Sequence, residues 1–79
     1  RIGDDFMIMP MTAAKEGNIV QVKAIAKKDG LTKRLSELGI ISGNHIKIVK
    51  NDGRSLIVAI DESRFALDNS LAKDIMIAL

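Results

Sequence analysis

Apolar residues recur with a helical spacing in one stretch of the chain, and this stretch predicts its main helix. Three leucines fall at positions i, i+4 and i+7, which places their side chains on one stripe of a helix over about residues 31–38. The stripe consists of Leu31, Leu35 and Leu38. The charged side chains that lie off the stripe and can stay in water are Lys33, Arg34 and Glu37. We therefore expect a short amphipathic helix with one apolar side.

Two glycines follow this helix and predict how the chain leaves it. Gly39 falls just past the helix end, where a residue with positive φ stops a helix, and Ile40 can then fold back on Leu35. Gly43 supplies a second position for positive φ, shortly before the next strand-like run. We expect residues 31–43 to form a rigid elbow, a helix followed by a turn, that fixes the helix against a sheet.

Most of the remaining chain alternates apolar and polar residues with period two, which predicts short strands. The first run ends at Pro10, a residue that edge strands tolerate. In the second run, the residues expected on one shared face are Val20, Val22, Ala24 and Ala26. The predicted strands cover about residues 6–9, 18–27, 44–49, 56–60, 65–67 and 75–79.

Turn and cap residues separate these strands. The Asp52-Gly53 pair predicts a type I′ hairpin turn, in which both residues have positive φ. Residues 61–63 predict the next tight turn. Caps are predicted at three helical segments: Thr12 for a single turn ended by Gly17, Asp29 for the main helix, and Asn69 or Ser70 for a turn that contains residues 71–73.

Consecutive short strands that do not alternate regularly with helices, as βαβ units would, indicate a small antiparallel barrel. Closing the sheet would remove exposed edges, which a chain of 79 residues has little material to cover. This length gives one domain, taken as residues 6–79. Residues 1–5 are interpreted as an extension or an artificial remnant outside the fold.

Composition narrows the function classes. The chain has no cysteine, which excludes disulfides and cysteine metal sites and favours a cytoplasmic setting. No apolar run approaches the roughly 20 residues that cross a bilayer. The net charge is only +2, but residues 15–54 hold nine Lys/Arg against four Asp/Glu. This basic middle suits an acidic protein, a phosphate-bearing surface or nucleic acid, or it is simply solvated.

The side chains needed for catalysis are scarce. His45 is the single histidine, and we interpret it as an exposed strand residue; the alternative is a metal ligand that acts together with a nearby carboxylate or a second molecule. The acidic pairs Asp4-Asp5 and Asp61-Glu62 are expected to face solvent. No phosphate-binding glycine motif is present. The sequence therefore predicts no catalytic residues, no metal site and no cofactor, and it favours protein recognition.

The elbow also carries a family resemblance. Residues 35–43 read L-x-x-L-G-I-x-x-G, and together with segments 11–17, 55–60, 64–67 and 71–77 they resemble the FeoA family, small cytoplasmic accessory proteins of bacterial ferrous iron uptake. The resemblance covers about Ile8 to Leu79. It implies a mainly β fold, a small SH3-like antiparallel barrel of five to six strands with the helix at 31–38 and one or two single-turn helices. The chain departs from the family pattern in its short loop at 51–54 and in Ala59 and Asp61, which stand near a usual glycine.

The resemblance implies a non-enzymatic protein that binds and modulates the membrane permease FeoB, a GTPase, and is membrane-associated only through that partner. We expect Lys33, Arg34 and Glu37 to contact the partner, while Gly39 and Gly43 hold the geometry. Two alternatives stay open: the C-terminal SH3-like domain of a metal-dependent transcriptional repressor, and a small RNA-binding barrel. Met7, Met9 and Met11 form an alternating strip that suits either core filling or contact between copies, so a homo-oligomer also stays open.

Overall fold

The structure, a computed structural model, describes residues 7–26 and 31–79. Several expectations lie outside these residues. They are the separate extension at 1–5, the start of the first strand at Phe6, the break at 28–30, and the Asp29 cap.

Six strands form one antiparallel sheet. The strands are β1 (Ile8–Pro10), β2 (Ile19–Ile25), β3 (His45–Asn51), β4 (Ser55–Ile60), β5 (Ser63–Asp68) and β6 (Ile75–Ala78). The helical segments are a 3₁₀ turn (Met11–Ala13), α1 (Leu31–Glu37) and α2 (Asn69–Ala72). The predicted fold class, mainly β with one short amphipathic helix, is confirmed.

The strand order is β1-β6-β2-β3-β4-β5, so β1 and β5 are the outer strands of the described sheet. We expected the sheet to close and so to remove its edges. In the described residues β1 and β5 do not pair with each other, so the sheet is open and keeps two edges. The first strand lies at an edge as Pro10 predicted, while β6, the last strand in the chain, is inserted between β1 and β2.

The core lies on one side of the sheet, where alternate strand residues meet the helical segments. Period-two burial is clearest in β4, whose even-numbered residues are buried and whose odd-numbered residues are half-buried. The largest fully buried side chains are Met11, Leu35, Ile40, Ile46, Ile48, Leu56, Ile75, Ile77, Val20, Val22 and Val58. The methionine strip divides: Met11 is core, Met9 packs against the core, and Met7 is 73% exposed.

The predicted alternation in β2 is wrong beyond Val22. Val20 and Val22 are buried, but Ala24 and Ala26 are exposed. The pairing with β6 shifts register between Val22 and Ala24, which marks a β-bulge. A bulge places one extra residue on the strand, so a strict period of two fails there.

Two predicted caps are also wrong. The turn after β1 is a 3₁₀ turn that begins at Met11, so Thr12 lies inside it and no side chain caps it. Helix α2 begins at Asn69 itself, after Asp68. The Asn69 side-chain amide instead donates to the Gly53 carbonyl, a partner 16 residues away in the chain.

The hairpin between β3 and β4 is held by side chains, and the predicted type I′ turn is wrong. Gly53 has φ +90°, but Asp52 does not have positive φ. Oδ1 of Asp52 accepts hydrogen bonds from the N–H groups of Arg54 and Ser55, at 2.9 and 3.0 Å. These bonds, that from Arg54 first, hold the pKa of the Asp52 carboxyl below its usual range. The Asp52 carboxylate therefore stabilises the turn by accepting hydrogen bonds from its backbone, and the turn does not need the two positive φ angles of type I′.

Asn51 ties this hairpin to the segment before β2. Its side-chain Nδ2 donates to the carbonyls of Thr12 and Ala14, at 3.1 and 2.7 Å, and its Oδ1 accepts from Gly53 N–H at 3.1 Å. Its backbone N–H donates to Oε2 of Glu16 at 2.9 Å. One residue thus satisfies groups from two segments that lie far apart in sequence.

Candidate partner-binding site

Helix α1 presents its charged residues to solvent. Lys33, Arg34 and Glu37 are all exposed, whereas Leu35 is 2% exposed and Leu38 is half-buried. The side chain of Leu31 lies outside the described part of the chain. Glu37 is spaced four residues from Lys33 and three from Arg34, so the three charges share one exposed surface, which we call the α1 face.

The end of α1 is a Schellman motif. The Ile40 N–H donates to the Leu35 carbonyl at 2.9 Å, and the Gly39 N–H donates to the Ser36 carbonyl at 3.0 Å. Gly39 has φ +97°, as the sequence predicts, and Ile40 is fully buried in the same cluster as Leu35. Both bonds satisfy carbonyls that a helix end leaves free, so the motif fixes where the helix stops.

The two glycines of the elbow differ in their surroundings. A Cβ at Gly39 would lie 3.1 Å from Cγ2 of Ile60, closer than ordinary van der Waals contact. Gly43 also has positive φ, +99°, but a Cβ there would meet nothing within 4 Å. Gly39 is therefore required by both backbone conformation and packing, and Gly43 by conformation alone.

The loop after Gly39 is anchored to β2. The Gly43 N–H donates to the Val22 carbonyl at 2.8 Å, and the Val22 N–H donates to the Asn44 carbonyl at 2.9 Å. Oγ of Ser42 donates to the Lys23 carbonyl, and Nε2 of Gln21 donates to the Gly43 carbonyl, both at 3.1 Å. Four bonds to one strand hold the elbow in place on the sheet.

The Asn44 side chain links the two ends of the turn in the elbow, a role that was not predicted from the sequence. Its Nδ2 donates to the Gly39 carbonyl at 2.7 Å. The available signal was an asparagine directly after a glycine turn, a position where its short amide side chain can reach nearby backbone. The bond spans the turn from Asn44 back to the helix stop, so the turn and the stop act as one unit.

This arrangement suits recognition. A rigid surface with two positive charges and one negative charge can steer and orient a charged partner. His45 is exposed at the start of β3, and in the described ranges no three His, Cys, Asp or Glu side chains converge as a metal site would require. Phe65, the sole phenylalanine in these ranges, is half-buried against the core, so only part of its ring is exposed for stacking on RNA bases.

None of the helices described here is both long enough and apolar enough to span a bilayer. Asp61 and Glu62, one of the two acidic pairs, are exposed in the turn between β4 and β5, as predicted. The other pair, Asp4-Asp5, lies outside the described residues.

The fold and the elbow define a small, mainly β protein of the SH3-like class. The family model of the FeoA domain matches residues 9–79, and the chain belongs to the FeoA family. A relative from Methanocaldococcus jannaschii, which carries the provisional name Fe(2+) transport protein A, is 35% identical over 68 residues, covering 86% of this chain and 83% of that protein.

Solved structures agree on the fold. The crystal structure of Stenotrophomonas maltophilia FeoA complexed with zinc, described as a procaryotic SH3 domain protein, is 28% identical with a TM-score of 0.76, covering 87% of this chain and 88% of that one. A manganese-dependent transcriptional repressor is 20% identical with a TM-score of 0.78, covering 92% of this chain but 42% of that one. At this identity the second likeness shows a shared fold and nothing more.

Proposed function

We propose that this protein is a non-enzymatic accessory of ferrous iron uptake that acts by binding a FeoB-type membrane permease. Membership of the FeoA family and the name of the M. jannaschii relative support the place in iron transport. The observation that carries the docking role is the α1 face. Lys33, Arg34 and Glu37 are exposed together on a helix whose end is fixed to the sheet.

The hydrogen bonds that fix the elbow support a binding role, because they lower the free energy needed to order this segment on binding. Binding costs free energy for every segment that must become ordered at the interface. The Schellman motif and the bonds to β2 order residues 35–44 before any partner arrives, so less of the interaction energy is spent on ordering. To modulate a permease, the protein must bind two of the partner's conformations with different affinities.

The proposal places the protein in the cytoplasm, with membrane association only through the partner. It assigns no catalytic role, because the single histidine is exposed at the start of β3 and the described residues contain no group of three His, Cys, Asp or Glu side chains that could hold a metal ion. Iron is then cargo of the permease, and the permease supplies any GTP chemistry.

The test is binding of the soluble domain of the permease, measured by calorimetry with and without nucleotide. Lys33→Glu/Arg34→Glu should weaken binding about tenfold or more, because two attractive contacts become repulsive. The matched control is Lys47→Glu/Lys50→Glu, which makes the same change in net charge on the exposed surface of β3. The control should bind normally, and both variants should keep the thermal stability of the wild type. Equal binding by wild type and the α1 variant would refute the assignment.

The second candidate is the SH3-like domain of a metal-dependent repressor, which the fold shared with the manganese-dependent repressor supports. The M. jannaschii relative favours the iron-transport assignment, because it is 35% identical and the match covers 83% of its length. The complete reading frame separates the two. A winged-helix domain encoded upstream in the same frame would establish the repressor, whereas a start codon near Met7 or Met11 would remove it.

A further inference from the structure

Strand β5 is an outer strand without most of the features that protect sheet edges. It pairs with β4 over all six residues, from Ile60↔Ser63 to Ser55↔Asp68, with no register shift. The other outer strand, β1, has three residues and contains Pro10, whereas β5 contains no proline. Natural edges are usually blunted by proline, bulges, short length or charge, and only charge is present in β5.

The pairing with β4 fixes which backbone groups of β5 point outward. Ile60 and Ser63 flank a two-residue turn and therefore form a hydrogen-bonded pair. Hydrogen-bonded and non-hydrogen-bonded pairs alternate along an antiparallel ladder, so Arg64, Ala66 and Asp68 direct their N–H and C=O groups away from β4. All three residues are exposed. The carbonyl of Asp68, the N-cap of α2, accepts the first bond of that helix, so the outward groups left for a partner are the N–H and C=O of Arg64 and Ala66 and the N–H of Asp68.

The two charges on this edge are arranged symmetrically. Arg64 and Asp68 each lie two residues from Ala66, on the same exposed side of the strand, and neither forms an ion pair with another described residue. If a second β5 pairs antiparallel about Ala66, Arg64 lies opposite Asp68 of that copy at both ends. Like charges would oppose this pairing, but opposite charges at mirrored positions favour it.

We propose that two copies of this chain pair through β5 about a two-fold axis at Ala66 and form one continuous sheet. The same surface serves both copies, which is the requirement for a closed symmetric dimer. A single pair of short strands is a small interface, so the dimer is reversible and depends on concentration. The proposal concerns β5 and stands independently of the role of the α1 face.

The experiment is sedimentation velocity over a series of protein concentrations. The wild type should shift from monomer to dimer as its concentration rises. Arg64→Asp and Asp68→Arg should each weaken self-association about tenfold, because either change places like charges opposite each other at two positions. An equimolar mixture of the two variants should associate again, since both acidic side chains of one variant then face basic side chains of the other. The double variant Arg64→Asp/Asp68→Arg should associate like the wild type.

Recovery in the mixture separates a pairing defect from misfolding, and circular dichroism of each variant checks the fold. Lys33→Glu/Arg34→Glu should self-associate normally, which distinguishes this surface from the α1 face. A wild type that stays monomeric at every concentration would overturn the proposal, as would reversals that leave association unchanged or a mixture that does not associate.

Discussion

The elbow at residues 31–43 and the hairpin at residues 51–55 both lead the chain into a strand, but by different means. The elbow depends mainly on backbone conformation, with positive φ at Gly39 and Gly43 and backbone bonds to α1 and β2, and its described side-chain bonds come only from uncharged hydroxyl and amide groups. The hairpin depends on side-chain acceptors and donors of Asn51 and Asp52. No titratable side chain takes part in the described bonds of the elbow, so the elbow is insensitive to protonation and most sensitive to a Cβ at either glycine, while the hairpin is sensitive to the loss of the Asn51 amide or the Asp52 charge.

The contrast bears on function. A surface that must present charges in a constant geometry benefits from a support that does not titrate. The hairpin has a structural task, because Asn51 fastens the segment before β2 to the sheet. Three sets of substitutions test whether the two turns differ in this way.

Gly39→Ala should cause the largest loss of stability, about 3 kcal/mol, because it combines positive φ with a Cβ that lies too close to Ile60. Gly43→Ala shares the φ but has open space around the Cβ, so about 1–2 kcal/mol is expected. Urea unfolding of both variants measures the difference. Equal losses would show that the Ile60 contact has no energetic role.

Asn51→Ala should cost about 2 kcal/mol, since it removes two donated bonds and one accepted bond and leaves the carbonyls of Thr12 and Ala14 without this partner. The matched variant in the elbow is Asn44→Ala, which removes a single amide bond to Gly39 and should cost about 1 kcal/mol. Thermal and urea unfolding compare the two. A larger loss at Asn44 would mean that the elbow depends more on side chains than its backbone bonds indicate.

Asp52→Asn should have the smallest effect, and that effect should depend on pH. Because the folded-state pKa of Asp52 is lowered, its carboxylate stabilises the fold above the ordinary pKa of an aspartate, and this contribution disappears as pH falls through the lowered value. The melting temperatures of wild type and variant should differ at neutral pH and converge in acid. Asp61→Asn removes the same charge from the next turn and serves as the control. A gap that is constant with pH would contradict the role of the carboxylate.

The elbow could be predicted from the sequence, because a glycine directly after an amphipathic helix most often ends that helix with a positive φ. The amphipathic pattern, the helix stop and the second positive φ all follow from nearby residues. The strand count and the edge position of β1 were also predictable, since alternation and Pro10 are local signals.

The failed predictions share a dependence on distant partners or on side-chain bonds. Asn69 binds Gly53 from across the fold instead of capping its own helix. The bulge in β2 depends on its register with β6, which enters the sheet from the other end of the chain. The Asp52-Gly53 pair predicts a type I′ turn with positive φ at both residues, whereas the observed turn is stabilised by hydrogen bonds that the Asp52 carboxylate accepts. The contact roles of Lys33, Arg34 and Glu37 remain predictions, because their exposure makes them accessible to a partner but does not identify it.

Contact between the α1 face and the permease can be measured directly by NMR. The soluble domain of the permease would be titrated into ¹⁵N-labelled protein while the amide shifts are followed. If the α1 face binds the permease, the largest changes should occur at residues 32–44, around Lys33, Arg34 and Glu37. Changes confined to β5 or to the outer surface of β3, with the elbow unmoved at saturation, would contradict it.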